Sequence, residues 1–97
     1  ANRGGIMTLI REDTNNVVFM KDSEYAERSW FLVYRDSGAI ALANWFFPPS
    51  GDDSAIISLA AEITEMRSMA DSIAIMGDLN THHSFFFYFL PFSYNFR

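Results

Sequence analysis

The sequence predicts a mixed α/β domain on three observations. Several short runs are rich in β-branched and aromatic residues, one stretch carries apolar residues at helical spacing, and a continuous apolar run follows it directly. Taken in order, Ile6, Leu9 and Ile10 in IMTLIR, opened by Gly4-Gly5, predict a buried strand over 6–11, and REDTNN a polar turn. VVFM, 17–20, predicts a second strand and the charged KDSEYAER, 21–28, a loop. SWFLVYR, 29–35, predicts a third strand; DSG, 36–38, is a tight hairpin signal, and AIALANWFF, 39–47, returns as its partner. Pro48 and Pro49 end that strand because neither donates to a ladder. Asp53 or Ser54 suits an N-cap. Apolar residues at 56, 59, 60, 63 and 66 predict an amphipathic helix over about 54–70, with the acids at 62 and 65 directed away from the core. SIAIM, 72–76, has the profile of a strand covered on both faces. The expected order is β-β-β-β-α-β, layered as α/β, with no internal repeat and no linker.

The chain has 97 residues, one small domain's worth, with about half of them apolar. It has no cysteine, which excludes disulfides and thiolate chemistry. Net charge is −5, from 12 acids and 7 bases. That balance disfavours a binder that grips nucleic acid by backbone electrostatics alone. It leaves open an enzyme that meets phosphate through a metal, because the carboxylates hold the ion and the ion carries the positive charge. ANRGG has no signal-peptide pattern. No run approaches the roughly 20 apolar residues of a membrane-spanning helix, so no membrane role is expected.

The chemistry-bearing stretch is SIAIMGDLNTHHS. Asp78 and Asn80, two positions apart, lie on one side of an extended chain. At the end of a covered strand they would project beyond the sheet edge, where ligands of α/β sheets bind. An Asp there orients or deprotonates water, and an Asn donates to a developing oxyanion. Gly77 permits a sharp turn or close approach. Gly, Asp and Asn are also ordinary turn residues, so spacing alone favours a strand-ending turn. His82 and His83 are adjacent and face opposite sides of a strand, so they do not share one metal; one of them lining the cleft is the better reading. Trp30 and Trp45 suit base stacking, with core packing the default for strand aromatics. Met66, Met69 and Met76 read as core filler.

IAIMGDLNTHHS resembles the Gly-Asp-Phe/Leu-Asn motif of the endonuclease/exonuclease/phosphatase family, and its His pair is most similar to endonuclease domains of non-LTR retrotransposons. RGGIMTLIRED is similar to the family's Gly-Gly strand and following turn. The stretch from Ser37 to Ile63 resembles a strand ending in Asn-x-Tyr-x-Pro-Pro followed by a helix. These segments span residues 3 to about 84 in the family's order. The resemblance implies a four-layered α/β sandwich of two mixed sheets and metal-dependent cleavage of phosphate esters, usually with magnesium and, for the retroelement relatives, DNA. It assigns water activation to Asp78 and phosphate holding to Asn80. Phe46 stands where the family has a phosphate-contacting Tyr, so only ring packing remains there; with His82 and His83 it completes the expected substrate-binding set.

The chain also departs from the pattern. The family's metal-binding Glu lies well before the Gly-Gly segment, its closing Ser-Asp-His lies far after Gly-Asp-x-Asn, and neither Glu24 nor Glu27 stands in a matching context. No metal ligand is therefore identified in the chain. From 85 onward the sequence changes: residues 81–97 hold eight of the aromatics and no acid. An abrupt change of composition directly after a matching motif is what a shifted reading frame or read-through of non-coding sequence produces. The expected division is a partial domain over 1–84 and an unrelated aromatic tail over 85–97. The tail is expected to cover a bare sheet face or to drive self-association. Three readings follow: a retroelement-type endonuclease fragment, inactive alone and nuclear if part of a retroelement protein; a non-catalytic remnant that associates with other chains; and a phosphomonoesterase of the same fold.

Overall fold

The computed structural model describes residues 6–47 and 53–78 in full and the backbone of 86–91. The elements are β1 (Val17–Asp22), β2 (Glu27–Arg35), β3 (Gly38–Phe46), α1 (Asp53–Met66), β4 (Ser72–Asp78) and β5 (Phe86–Pro91). They form one mixed sheet in the order β1-β2-β3-β4-β5. β1, β2 and β3 are antiparallel neighbours, β4 runs parallel to β3, and β5 is antiparallel to β4. The helix lies in the β3–β4 connection, as a parallel pair requires a crossover.

The mixed α/β class predicted by the sequence is what forms, but the element order is β-β-β-α-β-β. Ile6–Arg11 is not a strand. Met7 and Leu9 are 76% and 86% exposed. A strand needs a partner's ladder, and among the described residues none aligns with this segment; its ties are to the Asn44 side chain, which donates to Thr8 Oγ1 at 2.9 Å and to the Met7 carbonyl at 3.3 Å. The loop expected over 21–28 shrinks to 23–26, because β1 runs on to Asp22 and β2 starts at Glu27. The aromatic tail, expected to cover a bare sheet face or to drive self-association, instead pairs the backbone of 86–91 along the edge of β4. A run of Phe, Tyr and Leu closed by Pro suits an outer strand. The two-residue loop at Asp36-Ser37 closes the β2–β3 hairpin, with Arg35 opposite Gly38.

Helix α1 begins at Asp53, whose carboxylate sits in the positive first turn. It ends at Met66, earlier than the periodicity suggests. The chain leaves through a tight turn in which the Ser68 hydroxyl donates to the Glu65 carbonyl at 2.9 Å and the Met69 N–H to Met66. Asp71 then ties this exit to β3: its backbone N–H donates to Ala39 O and its carboxylate accepts from Ala39 N–H, both at 2.8 Å.

The core lies between α1 and one sheet face. Trp30, Leu32, Ala41, Ala43, Trp45, Ile73 and Ile75 meet Ala55 and Met66 there. Ala41 and Ala43, fully buried on the central strand, let the helix come close, while Trp30, Ile73 and Ile75 fill the flanks. Trp30 and Trp45 are thus core residues and not stacking platforms. Met66 is core as expected, Met76 is half-buried, and Met69 is exposed. The second face carries the row Phe19, Phe31, Leu42 and Ala74, with Phe19 edge-on to Phe31 at 5.6 Å.

The helix is rotated from the expected face. Its buried residues are Ala55, Glu62 and Met66, while Ile56 and Ile57 are exposed. Glu62, expected to face solvent, is buried. Its carboxylate accepts hydrogen bonds from Arg28 Nε at 2.9 Å, Trp30 Nε1 at 2.8 Å and Ser23 Oγ at 2.6 Å. Arg28, fully buried, also donates to the Ala55 carbonyl at 3.1 Å and to Ser58 Oγ at 2.9 Å. Its guanidinium lies 4.5 Å over the Trp45 ring. Burial alone would raise the Glu62 pKa; the bonds from Arg28, Ser23 and Trp30 outweigh it and hold the carboxyl below its ordinary 4.5.

Removing one member leaves the other charge buried and unpaired. Glu62→Ala is expected to cost about 3–5 kcal/mol in urea unfolding, and the Arg28→Met/Glu62→Leu double variant far less than Glu62→Ala. Because the folded-state pKa is depressed, the stabilisation is present above pH 4.5 and is lost as pH falls below it through the folded value. Unfolding measured against pH should show that acid-side loss, and Glu62→Gln should flatten it.

Candidate functional site at the ends of β3 and β4

The parallel register of β3 and β4 places Asp78 directly beside Phe46. The contact continues one residue past the strand, where the Phe47 N–H donates to the Asp78 carbonyl at 2.9 Å. The chain segment entering Pro48 and the start of Gly-Asp-Leu-Asn therefore end side by side. Of the expected site residues, the structure brings Phe46 and Asp78 together at one end of the sheet. Asn80, His82 and His83 lie outside the described residues.

Gly77 has a local reason to be glycine. Its φ is +137°, a backbone state that side chains rarely adopt, and a Cβ there would sit 2.0 Å from the Trp45 carbonyl oxygen. The close approach is to the neighbouring strand. It seats the backbone just before Asp78 tightly against β3.

Strand alternation shows what shares the Asp78 face. Glu27 on β2 is opposite Phe46, so Glu27, Phe46 and Asp78 form one row across three strands. The next row inward holds Asp22, Ser29, Asn44 and Met76. Ser29 Oγ donates to Asp22 Oδ1 at 2.6 Å, and this bond leads in holding the Asp22 carboxyl below its ordinary pKa. Glu27 Oε1 is buried without a hydrogen-bond partner among the described residues. The two rows make a polar corner on the face away from the helix, with Asp22, Glu27 and Asp78 as its carboxylates. Phe46, with no hydroxyl, stands at its centre.

Glu27, Asp22 and Ser29 are the members that sequence reasoning missed. The signal was present in the hairpin: counting outward from a two-residue loop at 36–37 sets Glu27 against Phe46. Assigning 21–28 to a loop hid it. Among the described residues, no group of three or more His, Cys, Asp or Glu is placed to hold a metal ion.

Comparison with protein-family models, with curated proteins and with solved structures finds no match to this chain. The functional reading therefore rests on the residues and their placement.

Gly77→Ala should destabilise the chain by at least about 2 kcal/mol, since it adds backbone strain to a clash with Trp45. Urea unfolding measures the loss, and Gly77→D-Ala, made by chemical synthesis, should be milder at this φ.

Proposed function

We propose that the chain is part of a phosphodiesterase domain of the endonuclease/exonuclease/phosphatase kind, of the retroelement endonuclease type acting on DNA. The observation that carries this reading is the register that sets Asp78 beside Phe46. The resemblance requires the Gly-Asp-x-Asn motif and the strand end before the prolines to flank one phosphate. A single sheet covered by a helix on one face, with an apolar row on the other, is also the form of half a sandwich. The four-layered sandwich is part of the proposal, as is a nuclear setting within a retroelement protein.

In this reading Asp78 orients the attacking water and accepts its proton. Asn80 donates a hydrogen bond to a non-bridging phosphate oxygen as negative charge builds there. Phe46 offers a ring edge and no proton donor. His82 or His83 lines the same cleft. Magnesium belongs to the family's chemistry, but the described residues do not assemble a cation site. The roles assigned here are accordingly those of the chain's own groups toward water and phosphate. Hydrolysis needs such groups as a unit, and losing one member removes most of the rate. The chain by itself is thus expected to bind and not to turn over. Among the described residues no helix is long and apolar enough to cross a membrane, which says nothing of a β-barrel.

Titration of the 15N-labelled chain with a short single-stranded DNA and magnesium should shift the amide signals of Phe47, Asp78 and Asn80. Asn80→Ala should remove those shifts, and a supercoiled plasmid should stay intact throughout. Shifts confined to the exposed outer side of α1, or none at all, would overturn the reading. Cleavage that survives Asp78→Ala would remove Asp78 from its role. A phosphomonoesterase would instead release phosphate from a mononucleotide and leave the oligonucleotide whole.

A further inference from the structure

We propose that β5 is a self-association edge: two copies of the chain pair antiparallel through residues 86–91 and join their sheets into one. The inference concerns assembly and does not depend on the proposed chemistry.

Three observations carry it. First, β5 is the terminal strand of the sheet and, among the described residues, pairs only with β4. In an antiparallel ladder alternate residues direct their N–H and C=O away from the neighbour, so one side of β5 presents a row of backbone donors and acceptors. Second, the segment FFYFLP contains no charged residue, and its one proline is at the last position. Charges, bulges and prolines are the devices that blunt natural edges. Third, the opposite edge has them. β1 ends in Lys21 and Asp22, and its register slips between Phe19 and Lys21.

The contrast between the edges selects the partner. Joining β5 of one copy to β1 of the next would build an open filament, and the bulged, charged β1 opposes it. Joining β5 to β5 is closed, because an antiparallel strand is complementary to its own copy about a two-fold axis. Full overlap of 86–91 sets residue 88 of each copy opposite residue 89 of the other. The neutral edge gives a charged partner segment nothing to complement. A net charge of −5 on each copy opposes pairing over long range. Screening by salt should therefore tighten the dimer.

The test is sedimentation of the full chain at micromolar concentration, at low and at moderate salt, beside two double variants. These are Tyr88→Lys/Phe89→Lys and Tyr88→Glu/Phe89→Glu. Like charges directly opposite on paired strands are destabilising, and the doubles place them in register whether the pairing is centred or slipped by one. The chain is expected to be a dimer that tightens with salt. Each double variant should weaken dimerisation about tenfold or more, and an equimolar mixture of the two should recover a heterodimer. That recovery separates a blocked edge from a failed fold. A monomeric parent chain, open-ended growth, double variants that stay dimeric, or a mixture that does not recombine would each overturn the proposal.

Discussion

The contact between Arg28 and Glu62 fixes how the helix sits on the sheet, and the rest of the architecture follows from that placement. Each group is expensive to bury alone. Together they satisfy one another, and the spare hydrogen-bonding capacity is taken up by Ser23, Trp30, Ala55 and Ser58. Those partners come from the β1–β2 loop, from β2 and from two turns of α1. A helix packed on small residues alone could rotate or slide over Ala41 and Ala43. A guanidinium with three directed contacts on the helix permits one rotation, the one that leaves Ile56 and Ile57 outside. Buried polar groups fix register or docking in some other proteins, and here the Arg28–Glu62 geometry accounts for an apolar pair left in solvent.

The docked helix sets the position of β4 relative to β3. Asp71 bonds to both backbone groups of Ala39 at the start of that parallel pair, and Gly77 lies against Trp45 at its end. Trp45 is in turn held between Arg28 and Phe47, whose ring centroid is 5.5 Å away. The chain of contacts thus runs from the buried ion pair through Trp45 to the backbone immediately before Asp78. The polar corner is placed by the core and does not hang on a loose loop.

Local pattern made much of this legible. The DSG turn, the paired runs around it and the apolar strand after the helix follow from spacing and punctuation, whereas the juxtaposition of Phe46 with Asp78 is what the family resemblance implies. What escaped depends on interactions distant in sequence. Glu62 reads as a solvent residue on a helical wheel, because nothing within α1 says that a buried arginine waits on β2. Ile6, Leu9 and Ile10 read as a strand by composition, because apolar content registers preference and not the presence of a partner ladder. The strand at 86–91 was hidden by a change of composition that looked like a change of fold. A backbone edge accepts any residues that tolerate an extended chain, whatever their origin.

The sheet accordingly has two unlike boundaries and two unlike faces. One face is closed by α1. The other carries apolar residues at its middle, where Phe31 and Ala74 are buried and Phe19 is exposed, and the polar corner at its rim, where Asn44 is tied to Met7 and Thr8. Apolar covering raises the strength of any electrostatic contact at that rim by excluding water. When ionised, Asp78 and Glu27 are acceptors only, so in the proposed reading neither holds phosphate directly; Asp78 acts on water, and the donor is the amide of Asn80. Excluding water there strengthens the repulsion between the carboxylates and an anionic phosphate as much as any attraction. The polar corner, with Asp22, Glu27 and Asp78 as its carboxylates, therefore repels a phosphate unless cations offset its charge.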